Sequence, residues 1–189
     1  LSAAGARRQL VTVGATYQLG GAATMTCICA NGSVMGGAFV NPAQAQEENA
    51  RSLAVRLDYG DFSIWVGGDL TGGGNSTANV EGPASLACGD VDVYKLNHHG
   101  SNTSTSNNLV SQLDPELAII SCGAGNSYGH PTTTVTNRIN QALASRALLS
   151  TTTGSANTIG FGVTGNLRID TDGYRYRASA ENGDFLDFY

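Results

Sequence analysis

The sequence predicts an α/β fold of layered strands and helices, and three observations carry that expectation. Short apolar, β-branched runs alternate with helical segments from residue 62 to residue 151. Turn residues such as Gly60-Asp61, Asp114-Pro115 and Asp172-Gly173 punctuate them. The glycine-flanked Asp69 and all three histidines fall just after such runs, where α/β sheets place ligands.

In order along the chain, 9–13 and 24–30 read as short strands separated by the Gly20-Gly21 turn, and 35–40 makes another apolar run. Residues 41–49 are polar and turn-like, a loop rather than an interdomain linker, and no internal repeat or low-complexity tract is present. Residues 52–59 alternate apolar and polar, Gly60-Asp61 turns, and 62–66 returns, which predicts a hairpin. It ends in Gly67-Gly68-Asp69-Leu70, where glycines let backbone or ligand approach; a turn aspartate is the plainer alternative.

Residues 78–88 are weakly helical and lead into 91–96, too short and β-branched for a helix, which stops at His98-His99-Gly100-Ser101. Strand neighbours face opposite sides, so in extended geometry only one of His98 and His99 meets a metal directly and the other supports it or touches substrate. A hydrogen-bonded loop pair is the alternative. Residues 104–113 read as a helix capped by Thr103 or Ser104 and stopped at Asp114-Pro115. A buried strand over 117–121 then delivers a glycine-rich loop carrying Tyr128 and His130 to the mouth of a helix over 132–144. The segments 148–151, 158–163, 166–171 and 174–178 close the chain as strands, the last two as a hairpin.

With 189 residues, 41% of them hydrophobic, the chain can bury one core, so it is a single domain or the C-terminal part of one. No apolar run approaches the ~20 residues of a membrane span. A net charge of −5 offers no basic surface for nucleic acid, so a polyanion would have to be held by metal and local dipoles. The chain begins at Leu1 without a signal-type pattern, which leads us to expect an upstream leader or longer segment. Cys27, Cys29, Cys88 and Cys122 lack the spacing of a structural zinc site. Their even number, the low lysine content and Asn-x-Ser/Thr sites at Asn31, Asn75 and Asn102 suit a secreted or extracytoplasmic protein with at least one disulfide, buried free thiols being the alternative. Cys27 and Cys29 share a sheet face, so each would need a distant partner.

Four motifs, in this order, carry a resemblance: Asn49-x-x-Ser52-Leu53-x-Val55-Arg56-Leu57-x-Tyr59-Gly60; Gly68-Asp69-Leu70; Asp92-Val93-x-Lys95-Leu96-x-His98-His99-Gly100-Ser101; and Asn126-x-Tyr128-Gly129-His130-Pro131. Over 48–173 the chain resembles the C-terminal half of the metallo-β-lactamase-fold domain of the ComEC/Rec2 type of competence (DNA-internalisation) proteins. The resemblance implies part of a four-layer αββα sandwich holding one or two divalent ions, zinc or manganese, at its sheet edge. It implies Asp69 as the metal-bridging aspartate, His98 as ligand with His99 behind it, and His130 in a loop over the site. Asp69 and His130 are then the candidate catalytic residues, and Asn49, Ser101, Tyr128 and His130 the candidate substrate contacts. Ser101 and the amides of Gly100 and Ser101, ahead of a helix, would cradle an oxyanion.

The chain lacks the family's His-x-His-x-Asp-His motif. Two ligands fall short of the three that catalytic zinc takes, so the isolated chain is expected to bind metal poorly or not at all. The expectation is a metal-dependent hydrolase, a phosphodiesterase acting on a phosphodiester or other small anionic substrate, whose missing N-terminal half supplies the other ligands. A metal-free, degenerate binding or structural domain is the competing reading.

Overall fold

The computed structural model describes residues 11–143, 147–155 and 160–189. Its strands are β1 (Thr16–Gly20), β2 (Ala23–Ala30), β3 (Ser33–Val34), β4 (Ala54–Tyr59), β5 (Phe62–Gly67), β6 (Val93–Lys95), β7 (Leu117–Ile120), β8 (Ala147–Ser150), β9 (Gly162–Val163), β10 (Leu167–Thr171), β11 (Tyr176–Ala180) and β12 (Phe185–Phe188). The helices are α1 (Glu47–Ala50), α2 (Glu81–Cys88), α3 (Asn107–Leu113) and α4 (Thr133–Leu143).

One mixed sheet has the order β1-β2-β4-β5-β6-β7-β8-β9, with β3 beside β2. It is antiparallel from β1 to β5 and parallel from β5 to β9. The crossovers from β5 to β8 run through α2, α3 and α4 in turn, each to the next strand over. Right-handed crossovers stepping the same way all place their helices on one face of the sheet. That face buries Trp65, Tyr94, Leu96, Leu109, Ile120 and Ile139, each fully burying an apolar side chain for about 1.5–3 kcal/mol or more.

The opposite face of the parallel half is covered by the antiparallel sheet β10-β11-β12, through Phe62, Val93, Leu117, Tyr176 and Ala178. Tyr176 stacks on Phe188 at 4.4 Å and tilts against Phe62 at 5.1 Å. This makes three layers, helix–sheet–sheet; a second helical layer is not among the described residues. The outer face of the small sheet instead carries the ion pairs Arg168–Asp170 and Arg177–Asp187.

Several boundaries differ from the sequence expectation. The first strand lies at Thr16–Gly20; Val11 to Val13 are not strand, and Gln9 and Leu10 lie outside the described residues. The 35–40 run is broken by Gly36 and Gly37 at φ of 87° and 94°, so only Ser33–Val34 pairs with β2. Helix α3 starts at Asn107, capped by the Ser106 hydroxyl, because Thr105 at φ 55° interrupts any earlier start. Thr158 lies outside the described residues, and β12 was not anticipated. All four cysteines are free, which overturns the expected disulfide. Cys27, Cys29 and Cys88 are buried, and burial pushes the Cys29 thiol up to about 12 and the Cys88 thiol up to about 11.

Candidate functional site

Parallel strands end at a common edge, and here that edge carries the chemistry. Asp69 follows β5, His98 and His99 follow β6, and Ser121, Cys122 and the loop to His130 follow β7. The Asp69 amide donates to the Ser52 hydroxyl at 3.0 Å, and the Gly68 carbonyl accepts the His98 amide at 3.1 Å. The exit of β5 is thereby tied to the histidine turn. A Cβ on Gly67 would sit 2.1 Å from Asn97 Oδ1 and 2.9 Å from Trp65 Nε1, so only glycine fits there.

Asn97 is buried and fully engaged. Its Oδ1 accepts Trp65 Nε1 at 3.0 Å, its Nδ2 donates to Glu81 Oε1 at 2.9 Å, and its amide donates to the Tyr94 hydroxyl at 3.1 Å. Glu81, also fully buried, takes the Thr105 and Ser106 amides at 2.6 and 2.8 Å. Burial raises the Glu81 carboxyl above its ordinary range, against the pull of those hydrogen bonds.

Beyond Asn97 the chain turns, with His98 and His99 at φ of 48° and 53°. The extended geometry does not persist, so the argument that the two rings face opposite sides does not hold. His98 Nδ1 lies 3.5 Å from Thr103 Oγ1, and its ring meets that of His130 edge-on at 5.3 Å. Burial lowers its pKa, with Asp69 opposing and His99 adding. His99 Nδ1 lies 2.6 Å from the Ser121 carbonyl, a contact that puts the proton on Nδ1. Its Nε2 lies 3.7 Å from Asp69 Oδ1. A proton on Nε2 would make this contact an ion pair, and a cation between the two atoms would bridge them instead.

His130 is clamped through its backbone. Its amide donates to Asn126 Oδ1 at 3.0 Å, and its carbonyl accepts Asn126 Nδ2 at 2.6 Å and the Ser155 amide at 2.9 Å. The ring lies between His98 and Tyr128, and its buried Nδ1 has no hydrogen-bond partner among the described residues. Burial lowers the pKa of His130 most, then His98 and His99. A cleft of about 350 Å³ lies between His99, Ser121, Cys122, Asn126, Tyr128 and His130.

Two expected substrate contacts are placed elsewhere. Ser101 is buried, its amide donates to the His98 carbonyl at 2.8 Å and its hydroxyl meets Thr103 Oγ1 at 3.0 Å. It therefore shapes the turn; it does not cradle an anion, and α3 begins six residues later. Asn49 reaches only Gln46 Oε1, at 3.4 Å, and Gln46 in turn accepts from Thr103 at 3.0 Å. Sequence reasoning passed over Lys95, Ser121, Gln46 and Thr103 as site residues. Lys95 had a signal, a lone cation in an apolar strand; its ammonium donates to the Gly67 and Leu96 carbonyls, and burial lowers its pKa while Asp69 opposes.

Asp69 and His99 fit a divalent ion in kind. Two ligands about 2.0–2.2 Å from one tetrahedral zinc stand roughly 3.3–3.6 Å apart, and a ligating histidine ordinarily gives its other N–H to a carbonyl or carboxylate. They do not fit in number. Among the described residues no three His, Cys, Asp or Glu side chains gather to hold an ion.

Fold and site together define an α/β protein with an aspartate–histidine cluster at the C-terminal edge of its parallel strands. No family model matches the chain. It is 34% identical over 103 residues to Competence protein ComA of Neisseria gonorrhoeae, 35% over 94 residues to Recombination protein 2 of Haemophilus influenzae and 38% over 90 residues to ComE operon protein 3 of Bacillus subtilis. Each of these homologues matches about half of this chain, and the match spans only 14%, 11% and 11% of their own lengths.

Proposed function

We propose that this chain carries part of a metal-dependent phosphodiesterase site in a protein that handles DNA, the remaining ligands coming from protein outside the chain. The observation that carries this reading is His99 itself, whose Nδ1 lies 2.6 Å from the Ser121 carbonyl while its Nε2 lies 3.7 Å from the Asp69 carboxylate. The words competence and recombination in the homologues' names support DNA as the substrate class. The resemblance adds the αββα sandwich, whose further helical layer would also come from outside.

Asp69 and His99 would hold the ion, zinc or manganese, with Ser52 and Ser121 orienting them. Once the ligands outside this chain complete the site, such an ion would acidify a bound water and offset phosphate charge. His130 lines the same cleft as His99, and a ring N–H there would donate a hydrogen bond to a phosphoryl oxygen or the leaving group. An exported location rests on the three Asn-x-Ser/Thr sites and the low lysine content, the free thiols having removed the disulfide argument.

The test uses the full-length gene product, analysed for metal and assayed on bis(p-nitrophenyl) phosphate and on single- and double-stranded DNA. One or two ions per molecule, lost in Asp69→Ala, are expected. His130→Ala should keep the metal while kcat falls by ~10²–10⁴. Absence of phosphodiesterase activity in metal-loaded protein would sink the proposal. It would favour a non-catalytic binding domain.

A further inference from the structure

We infer that Tyr128 and His130 form a stacking subsite for one unpaired nucleobase, beside the Asp69–His99 pair. The inference deepens the phosphodiesterase reading by naming how substrate is gripped. Tyr128 is 81% exposed, yet its ring is ordered over His130, 21° from parallel with centroids 6.0 Å apart. An exposed aromatic gains nothing from folding in that position, because its apolar face stays in water. The loop presenting it is fixed by the Asn126 clamp on the His130 backbone and by the Gly125 amide donating to the Gly154 carbonyl at 2.8 Å. The loop that carries Tyr128 is therefore fixed before any ligand arrives, which lowers the cost of binding.

The cleft beneath Tyr128, about 350 Å³, falls within the range of small-molecule sites, roughly 300–1,000 Å³. The His130 ring backs that of Tyr128 from below, so the free face of Tyr128 is the plane offered to a base. Charge argues for a base over a phosphate as the gripped group. The nearest ammonium, Lys95, is largely buried and donates to two carbonyls, Asp69 adds a negative charge, and the chain as a whole carries −5. Stacking on an aromatic ring needs no cation and tolerates any base.

Binding to this subsite needs neither metal nor cleavage, so it is measured on the chain itself, apart from any hydrolysis assay. The probes are hexathymidylate and an abasic hexamer with the same phosphates, titrated by calorimetry and by fluorescence of a Tyr128→Trp variant. Trp65 is buried and gives a steady background. We expect hexathymidylate to bind and to quench the new indole, the abasic hexamer to do neither, and added salt to change affinity little. Tyr128→Ala should weaken binding by about 5- to 150-fold and Tyr128→Phe should retain it. Hexauridylate binding as tightly or more weakly supports a DNA source; tighter uridylate binding would overturn it. Equal binding of the abasic hexamer, or of Tyr128→Ala, or no binding of hexathymidylate by the wild type, would overturn the subsite even if the full-length protein cleaves phosphodiesters.

Discussion

His99 and His98 are adjacent in sequence and differ in everything that decides ligation. His99 is held by the Ser121 carbonyl with its free nitrogen toward Asp69, whereas His98 lies against Thr103 and the His130 ring. The resemblance favoured His98 as the ligand; the geometry favours His99. In the full-length protein, His99→Ala should lose the metal and activity together, while His98→Ala should keep more of the metal, read by metal analysis after dialysis. Equal loss in the two variants would return His98 to the ligand set. Strand alternation, which assumes extended φ and ψ, does not decide between them, because the backbone at both positions is left-handed.

At the scale of elements, one buried carboxylate ties three of them together. Glu81, at the start of α2, bonds Asn97 before the histidine turn and the two amides leading into α3. Its folded pKa is raised above the ordinary 4.5, so between 4.5 and that folded value the native protein binds more protons than the unfolded chain. This contribution to stability is full below 4.5 and is lost as pH rises through the folded pKa. Glu81→Gln removes that slope, and its amide also meets backbone N–H groups it cannot accept from fully, costing about 1–3 kcal/mol. Urea denaturation between pH 4.5 and 8 should show wild type losing stability relative to the variant as pH rises; parallel curves would refute the assignment. Gly67→Ala should cost about 1–3 kcal/mol in the same assay, because its methyl would enter the Trp65–Asn97 hydrogen bond.

At the scale of the molecule, the sequential order β5 to β8 places every crossover helix on one side and leaves the other to β10–β12. The thiols report on these layers. A thiol reagent should modify Cys122 in the native chain, since it lines the cleft and is only partly buried, and Cys27, Cys29 and Cys88 only on unfolding. Fewer than four thiols after denaturation would reveal a bridge among them.

Much of the fold and part of the site were legible in the sequence. The β4–β5 hairpin, β7, α4 and the β10–β11 hairpin were all anticipated, within a residue or two at their described ends, from periodicity and turn residues, because those signals are local. So was the gathering of Asp69, the histidine pair and His130, since each followed a strand and parallel strands share an exit edge. Glu81 gave no such sign, reading as an ordinary acidic residue in a first helical turn. Nor did Ser121, whose carbonyl orients His99, whereas Ser101 stood out in its motif but is held inside the turn. Residue type and spacing along the chain determined which groups reach the edge. Which ring comes nearest Asp69 was decided by contacts with residues distant in sequence, and those exist only after the sheet has brought β5, β6 and β7 side by side.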